Sequence, residues 1–317
     1  MGTSRDFKVF AGNSNPALAE KICQYLQRPL SKATIDRFSD GEIHVEVEEN
    51  VRGTDCFIVQ STCPPANDHL MELLIVCDAL KRASAMSIVA VIPYYGYARQ
   101  DRKVAPRTPI TARLIADLLE TAGATRVVSM EMHAGQIQGF FNIPSDNLYA
   151  SPVFLEDLKA HYPDPEEVVI VSPDAGGVER ARAYSKRLSA SLAIIDKRRP
   201  RANASEVMHL IGDVSGKTAI LIDDMVDTAG TLTQGAAALK KYGATKVVAY
   251  AVHPILSGPA LTRMGESALE EIVFTDTVPL SKAAQQVPKI RVLPTARLFG
   301  EAIARIHRAD SLSSLFV

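Results

Sequence analysis

Two adjacent carboxylates, Asp223 and Asp224, stand directly behind the apolar run Ala219–Ile222, and Asp227, Thr228, Ala229, Gly230 and Thr231 follow. A short, fully apolar run is what a buried parallel strand gives. A small, hydroxyl-rich turn that feeds a helix, here Gln234 to Tyr242, offers an anion backbone N–H groups and a helix N-terminus worth about half a positive charge. Together these can cradle a phosphate monoester. The acids repel phosphate but suit sugar hydroxyls, or a divalent cation standing between them and more phosphate. A solvated acidic turn is the plain alternative. Paired acids ending an apolar strand, however, sit where open α/β sheets put their ligands.

Other segments carry chemistry of complementary kinds. Lys197, Arg198, Arg199 and Arg201 put four positive charges into five residues after the strand-like Leu192–Ile195. Such a run is usually a solvated or nucleic-acid-facing loop. Beside a phosphate cradle, a cationic loop that closes over transferring phosphates is the sharper reading. Asp174 ends another strand, and Ala175-Gly176-Gly177 lets backbone approach a ligand closely. His133, beside Gly135, is either a structural histidine or a ligand; with Asp174 it suits a shared Mg²⁺ site. The loop Tyr94–Lys103 combines three tyrosines with Arg99, Arg102 and Lys103, a cluster able to stack a purine and grip phosphates. Asp40-Gly41 marks a hairpin turn within Arg37–Gly53, where turn chemistry and solvation account for Asp40 and Glu42, and Phe38 reads as core.

The elements that must position these groups alternate, strand with helix, along the whole chain, which predicts mostly parallel sheets with helices on both faces. The 317 residues are 47% hydrophobic with a formal net charge of −1, so two domains are expected and no basic field argues for nucleic acid. No apolar run has membrane-spanning length, the first residues lack the apolar core of a signal peptide, and the four cysteines show no CxxC pairing. Reduced thiols in a cytoplasmic protein are the expectation. The halves look duplicated: Gly123-Ala124-Thr125 matches Gly243-Ala244-Thr245, His133 matches His253, and Thr111 falls on Thr231. The first half has no acid pair, because Ile88–Ile92 runs into Pro93-Tyr94-Tyr95. The predicted domains are residues 1–149, without a sugar-phosphate loop, and 150–317, with that loop and the basic one.

The motifs IVSPDAGGVERA, DKRRPRAN, ILIDDMVDTAGT, MHAGQIQGFF, RFSDGE and PYYGYARQDRK together resemble the ribose-phosphate pyrophosphokinases of the phosphate-activated bacterial type, from Phe7 to Phe316. The resemblance implies two type I phosphoribosyltransferase-like domains. It implies transfer of the β,γ-diphosphate of Mg²⁺-ATP to the C1 hydroxyl of ribose 5-phosphate, giving phosphoribosyl diphosphate and AMP. Asp227, Thr228, Ala229, Gly230 and Thr231 would then hold the 5-phosphate, and Asp223 and Asp224 the ribose hydroxyls. Phe38, Asp40 and Glu42 would reach ATP from a neighbouring subunit, with Arg99, Gln100 and Asp101 also binding it. His133 and Asp174 would contact Mg²⁺, and Lys197 and Arg199 would be the catalytic cations. The family pattern further implies a hexamer activated by phosphate, with Arg52, Arg82, Ser84, Ser311, Ser313 and Phe316 at the regulatory site. This chain departs from the family in having Glu131 where aspartate is common, Ser314 where tyrosine is frequent, and Lys103–Thr108 without a serine-arginine pattern.

Overall fold

The computed structural model describes residues 6–198 and 207–315 of the chain. They pack as two units: Met1–Tyr149 with Thr277–Pro279 and Thr295–Val317, and Ala150–Asp276 with Leu280–Pro294.

The first unit contains β1 (Phe7–Ala11), α1 (Pro16–Tyr25), β2 (Ala33–Arg37), β3 (Ile43–Val47), β4 (Asp55–Val59), α2 (Ala66–Arg82), β5 (Ser87–Ile92), α3 (Thr111–Ala122), β6 (Arg126–Met130) and β7 (Ser145–Leu148). Five strands form a parallel sheet in the order β1-β4-β5-β6-β7, with Phe10 opposite Ile58, Ile58 opposite Ala90 and Ala90 opposite Val127. Helices cover its faces, so the central strands read as unbroken apolar runs; in β5 every residue after Ser87 is buried. Pro16 and the Asn15 side chain, which accepts the Leu18 N–H at 3.3 Å, start α1. The predicted hairpin is present, turning at Asp40-Gly41, but β2 and β3 form a separate two-stranded sheet. It is fastened to α2 by Arg37, 3.1 Å from Asp68.

The second unit contains α4 (Ser151–His161), β8 (Val168–Ser172), α5 (Val178–Leu188), β9 (Ser191–Arg198), β10 (Val207–Ile211), β11 (Thr218–Val226), α6 (Gly230–Lys241), β12 (Lys246–Pro254), α7 (Ala260–Glu266), β13 (Glu271–Thr275) and β14 (Ile290–Leu293). The sheet order is β10-β9-β8-β11-β12-β13-β14, parallel except for the β9/β10 pair. The chain moves outward from β8 to β9, then returns across β8 to β11 and moves the other way. The reversal falls between β8 and β11, which makes their carboxyl ends a topological switch point.

The duplication is visible in the backbone. Gly123 and Gly243, which follow α3 and α6, have φ of +118° and +92°. Glycine meets this left-handed requirement without a Cβ penalty. The next residue donates back to the helix at 3.0 Å in both units, Ala124 to Leu119 and Ala244 to Leu239. Thr125 and Thr245 then donate to Ile88 and Lys217 at 2.8 and 2.9 Å, which starts the following strand.

The expected second domain, unbroken from 150 to 317, does not hold. The last helix, α8 (Ala296–Arg308), belongs to the first unit. It buries Leu298, Phe299, Ala302 and Ile303, and it meets α1 through Tyr25, whose hydroxyl donates to Glu301 at 3.1 Å. His307 lies 2.9 Å from Asp55. The amphipathic pattern of α8 announces a buried face but not which unit that face covers. No helix among the described residues is long and apolar enough to cross a membrane.

Candidate active site

The site begins where β11 outlasts one of its neighbours. β8 pairs with β11 only over Thr218–Leu221, while β12 stays alongside to Val226, with Asp223 opposite Ala251. The strand therefore runs past the predicted end at Ile222 and carries both acids. A backbone ladder is indifferent to the side chains it presents, so the polarity change marks the edge of the β8 pairing and not the end of the strand. Asp224 is buried, with its side chain 7% exposed, and Asp223 is partly open at 21%. Burial, with the neighbouring charge of Asp224, pushes the Asp223 carboxyl well above the ordinary carboxylate range. Arg180, in the first turn of α5, places one guanidinium nitrogen 3.8 Å from an oxygen of each acid and partly offsets this. Sequence reasoning missed Arg180. The available signal was an arginine one turn into the helix that follows the glycine pair Gly176-Gly177.

From Val226 the chain turns through residues 227–229 into α6. Ala229 takes φ +60°, strained for a non-glycine residue, and caps the helix. The first N–H groups of such a helix have no acceptor within it and point at whatever lies beyond. The turn is braced from behind by the segment after β12. Leu256 and Ser257 donate their N–H groups to Val226 and Asp227, each at 3.0 Å, and the Ser257 hydroxyl bonds the Asp227 carboxylate. Arg263 of α7 donates to the Thr228 carbonyl at 3.0 Å. Neither Ser257 nor Arg263 was a sequence-level candidate, since both lie beyond an intervening strand.

The β8–α5 loop stands at the same switch point. Asp174 is exposed; one of its carboxylate oxygens accepts the Gly177 N–H at 3.0 Å, and the Ser172 hydroxyl donates to its carbonyl at 2.7 Å. β9 lies parallel to β8, so its end, with Lys197 paired opposite Met208, comes at that same edge. Arg199 lies outside the described residues.

In the first unit the expected purine platform is different. Tyr94 and Tyr95 are core residues, 6% and 2% exposed. The Tyr95 hydroxyl donates to the Ala112 carbonyl at 3.0 Å, and its ring packs edge-on against Phe141. Neither ring is available for stacking; the aromatic density after β5 fills the space above that strand's end. Arg99 and Gln100 are exposed. Gln100 is held by the Thr111 hydroxyl, and Asp101 accepts from Gln136 at 2.6 Å, which ties the loop to the segment that follows His133. His133 is exposed, two residues after Glu131, which is buried with φ +46°. At the hairpin tip Phe38 is 54% exposed, not core, and its ring lies 5.0 Å from that of His44. Asp40 accepts the Glu42 N–H at 3.1 Å, as turn chemistry requires.

Of the residues expected at a regulatory site, Arg52 and Ser84 lie in neighbouring turns joined by the Gly53 N–H on the Ser84 carbonyl at 3.0 Å. Arg82 is on α2, with Nε 2.6 Å from Asp78. Ser313 donates its N–H to the Ser311 hydroxyl at 3.2 Å. Phe316 lies outside the described residues. Among the described residues no group of three or more His, Cys, Asp or Glu could by itself hold a metal ion.

Comparison with known proteins bears on the fold and the family. A family model for the N-terminal domain of ribose phosphate pyrophosphokinase matches residues 7–123, and a phosphoribosyl synthetase-associated domain matches residues 198–317. The ribose-phosphate pyrophosphokinase of Agrobacterium fabrum is 60% identical over 309 residues, covering 98% of this chain and 99% of that one. That of Burkholderia pseudomallei is 57% identical over 318 residues, covering 100% and 99%. The crystal structure of phosphoribosylpyrophosphate synthetase from Mycobacterium smegmatis superposes with a TM-score of 0.91 at 42% identity, covering 96% of this chain and 100% of that chain. With two α/β units of the expected kind and likeness along essentially its whole length, the chain belongs to the ribose-phosphate pyrophosphokinase family of transferases.

Proposed function

We propose that the protein makes phosphoribosyl diphosphate by transferring the β,γ-diphosphate of Mg²⁺-ATP to the C1 hydroxyl of ribose 5-phosphate, with release of AMP. The observation that carries this is the pairing, at one switch point, of a carboxylate pair with a braced phosphate turn. A sugar phosphate offers hydroxyls to the first and an anion to the second. Thr228, Ala229, Gly230 and Thr231 bind the 5-phosphate through backbone N–H groups and hydroxyls. Asp223 and Asp224 bind ribose hydroxyls. Asp223, whose proton affinity is raised, suits the role of receiving the proton of the attacking hydroxyl.

The nucleotide is held by Arg99, Gln100 and Asp101, with Phe38, Asp40 and Glu42 of a neighbouring subunit in a hexamer. Exposed Phe38 offers a ring face for the base. Asp174 keeps one carboxylate oxygen beyond its bond to Gly177, a hard donor that fits Mg²⁺. His133 and Asp174 would contact the ion, with the nucleotide phosphates supplying further oxygen donors. When bound it would draw charge from the transferring phosphoryl oxygens. Lys197 and Arg199 would add positive charge where the transition state spreads its own. A cytoplasmic location and activation by inorganic phosphate, through Arg52, Arg82, Ser84, Ser311, Ser313 and Phe316, complete the proposal.

Phosphorus NMR of the protein with Mg²⁺, ATP and ribose 5-phosphate tests it. AMP and a sugar diphosphate should appear together and in equal amounts. ADP as the nucleotide product, or no turnover, would sink the reading.

A further inference from the structure

The turn assigned to the sugar phosphate opens on a carboxylate of its own. A carboxylate next to a dianionic phosphate is unfavourable at short range. Two groups behind the turn address this. The Ser257 hydroxyl bonds the Asp227 carboxylate and its N–H bonds the Asp227 carbonyl, so the acid is tethered to the turn's rear. Arg263 then brings a cation against the turn. Its Nη1 donates to the Thr228 carbonyl at 3.0 Å. The same nitrogen lies 3.3 Å from the place a β-carbon on Gly230 would take. The positive charge is thus seated between the backbones of two residues that would face the phosphate. Among the described residues no carboxylate pairs with this guanidinium, and one N–H of its five is committed to Thr228. A planar fork with spare donors is the side chain best matched to a phosphate.

We propose that Arg263 is the resident cation of the phosphate turn. It fixes the Thr228–Gly230 backbone, offsets the charge of Asp227, and makes the site select a phosphorylated sugar. This rests on the ribose 5-phosphate reading above and deepens it. Arg263 is a positioning and specificity residue; the chemistry at C1 belongs to other groups. The assignment also accounts for Gly230, because a side chain there would press on the guanidinium.

The test uses the full-length protein with Arg263→Met and Arg263→Lys. Ribose 5-phosphate binding is measured by calorimetry at several salt concentrations, beside kcat and both KM values. Arg263→Met should weaken ribose 5-phosphate binding on the order of 10-fold, as loss of a nearby positive charge that also holds the turn predicts. It should also flatten the salt dependence of binding while leaving kcat and the KM for ATP nearly unchanged. Arg263→Lys should recover part of the affinity because it keeps the charge. Unchanged affinity in Arg263→Met overturns the assignment. So does a parallel loss in kcat and both KM values with lysine no better than methionine, the mark of a merely structural role. If the unaltered protein does not bind ribose 5-phosphate, the functional reading itself fails and the assignment falls with it.

Discussion

In the first unit β5 leaves its sheet through Pro93, Tyr94 and Tyr95, and a long loop intervenes before α3; in the second, β11 runs on through Asp223 and Asp224 and turns within residues 227–229 into α6. The helices that follow are both 12 residues long and close with the same hydrogen bonds, so the plan is shared and only the connection differs. A second difference lies in strand order. The first sheet runs one way, β1-β4-β5-β6-β7, whereas the second reverses between β8 and β11. Only a reversal splays the neighbouring loops apart and leaves a crevice at the strand ends. The β2–β3 and β9–β10 hairpins occupy the same place in chain order, after the first strand and helix of each unit. The second joins its sheet, and its departure from β8 creates the reversal. The first stays apart, so β4 pairs directly with β1. Duplication supplied two copies of one scaffold, and hairpin docking decided which copy has the reversal of strand order.

The largest test concerns the hairpin that joined. Lys197→Ala should lower kcat on the order of 10³-fold with a small change in KM, because its charge acts in the transition state. Steady-state kinetics decides this, and a large KM rise with kcat intact would show that the second hairpin binds substrate and does not assist transfer.

Asp223→Asn comes next, with a fall in kcat/KM for ribose 5-phosphate on the order of 10²-fold. The same variant should be more stable. The folded-state pKa of Asp223 lies above its unfolded value, so its cost to stability begins as pH rises past the unfolded value, is complete above the folded pKa, and is absent when both states are protonated. The unfolding midpoint of the variant should therefore exceed that of the parent near neutral pH. That gain should shrink as pH falls through the folded pKa and vanish below the ordinary carboxylate range. A midpoint that drops at neutral pH would mean that Arg180 outweighs the burial.

Tyr95→Phe probes the other unit. Losing the hydroxyl that donates to Ala112 should cost about 1–2 kcal/mol in denaturant unfolding, with the KM for ATP unchanged. A raised KM with full stability would restore the stacking role that the burial of this ring denies.

The smallest expected effect is a lack of reaction. All four cysteines lie in the first unit and are buried, and burial pushes the thiols of Cys23 and Cys63 up to about 11 and that of Cys77 to about 12. Thiol reagents at neutral pH should leave the native protein unlabelled and report opening of the first unit alone. Labelling that follows the Asp223→Asn stability change would show that the two units open together.

Much of this was legible in the sequence because it is local. The apolar runs of β5, β8 and β11, the Asp40-Gly41 turn and the glycine after each 12-residue helix are set by neighbours a few residues away. So was the succession of Asp223, Asp224 and the small turn. Arg180, Ser257 and Arg263 were not legible, since each acts on residues that the fold, not the chain order, brings near. Tyr94 and Tyr95 misled because a buried ring and a stacking ring have the same local sequence, and only contacts such as those of Tyr95 with Phe141 and Ala112 tell them apart.

The sequence by itself determined the α/β class, the duplication and the chemical inventory, because periodicity, turn residues and charge are properties of short segments. The tertiary structure alone decided that α8 returns to the first unit, that the two sheets differ in strand order, and that an arginine of α7 meets the turn at Thr228. Those outcomes depend on which surfaces bury one another and on where a strand loses one neighbour while keeping the other, and no local pattern records either.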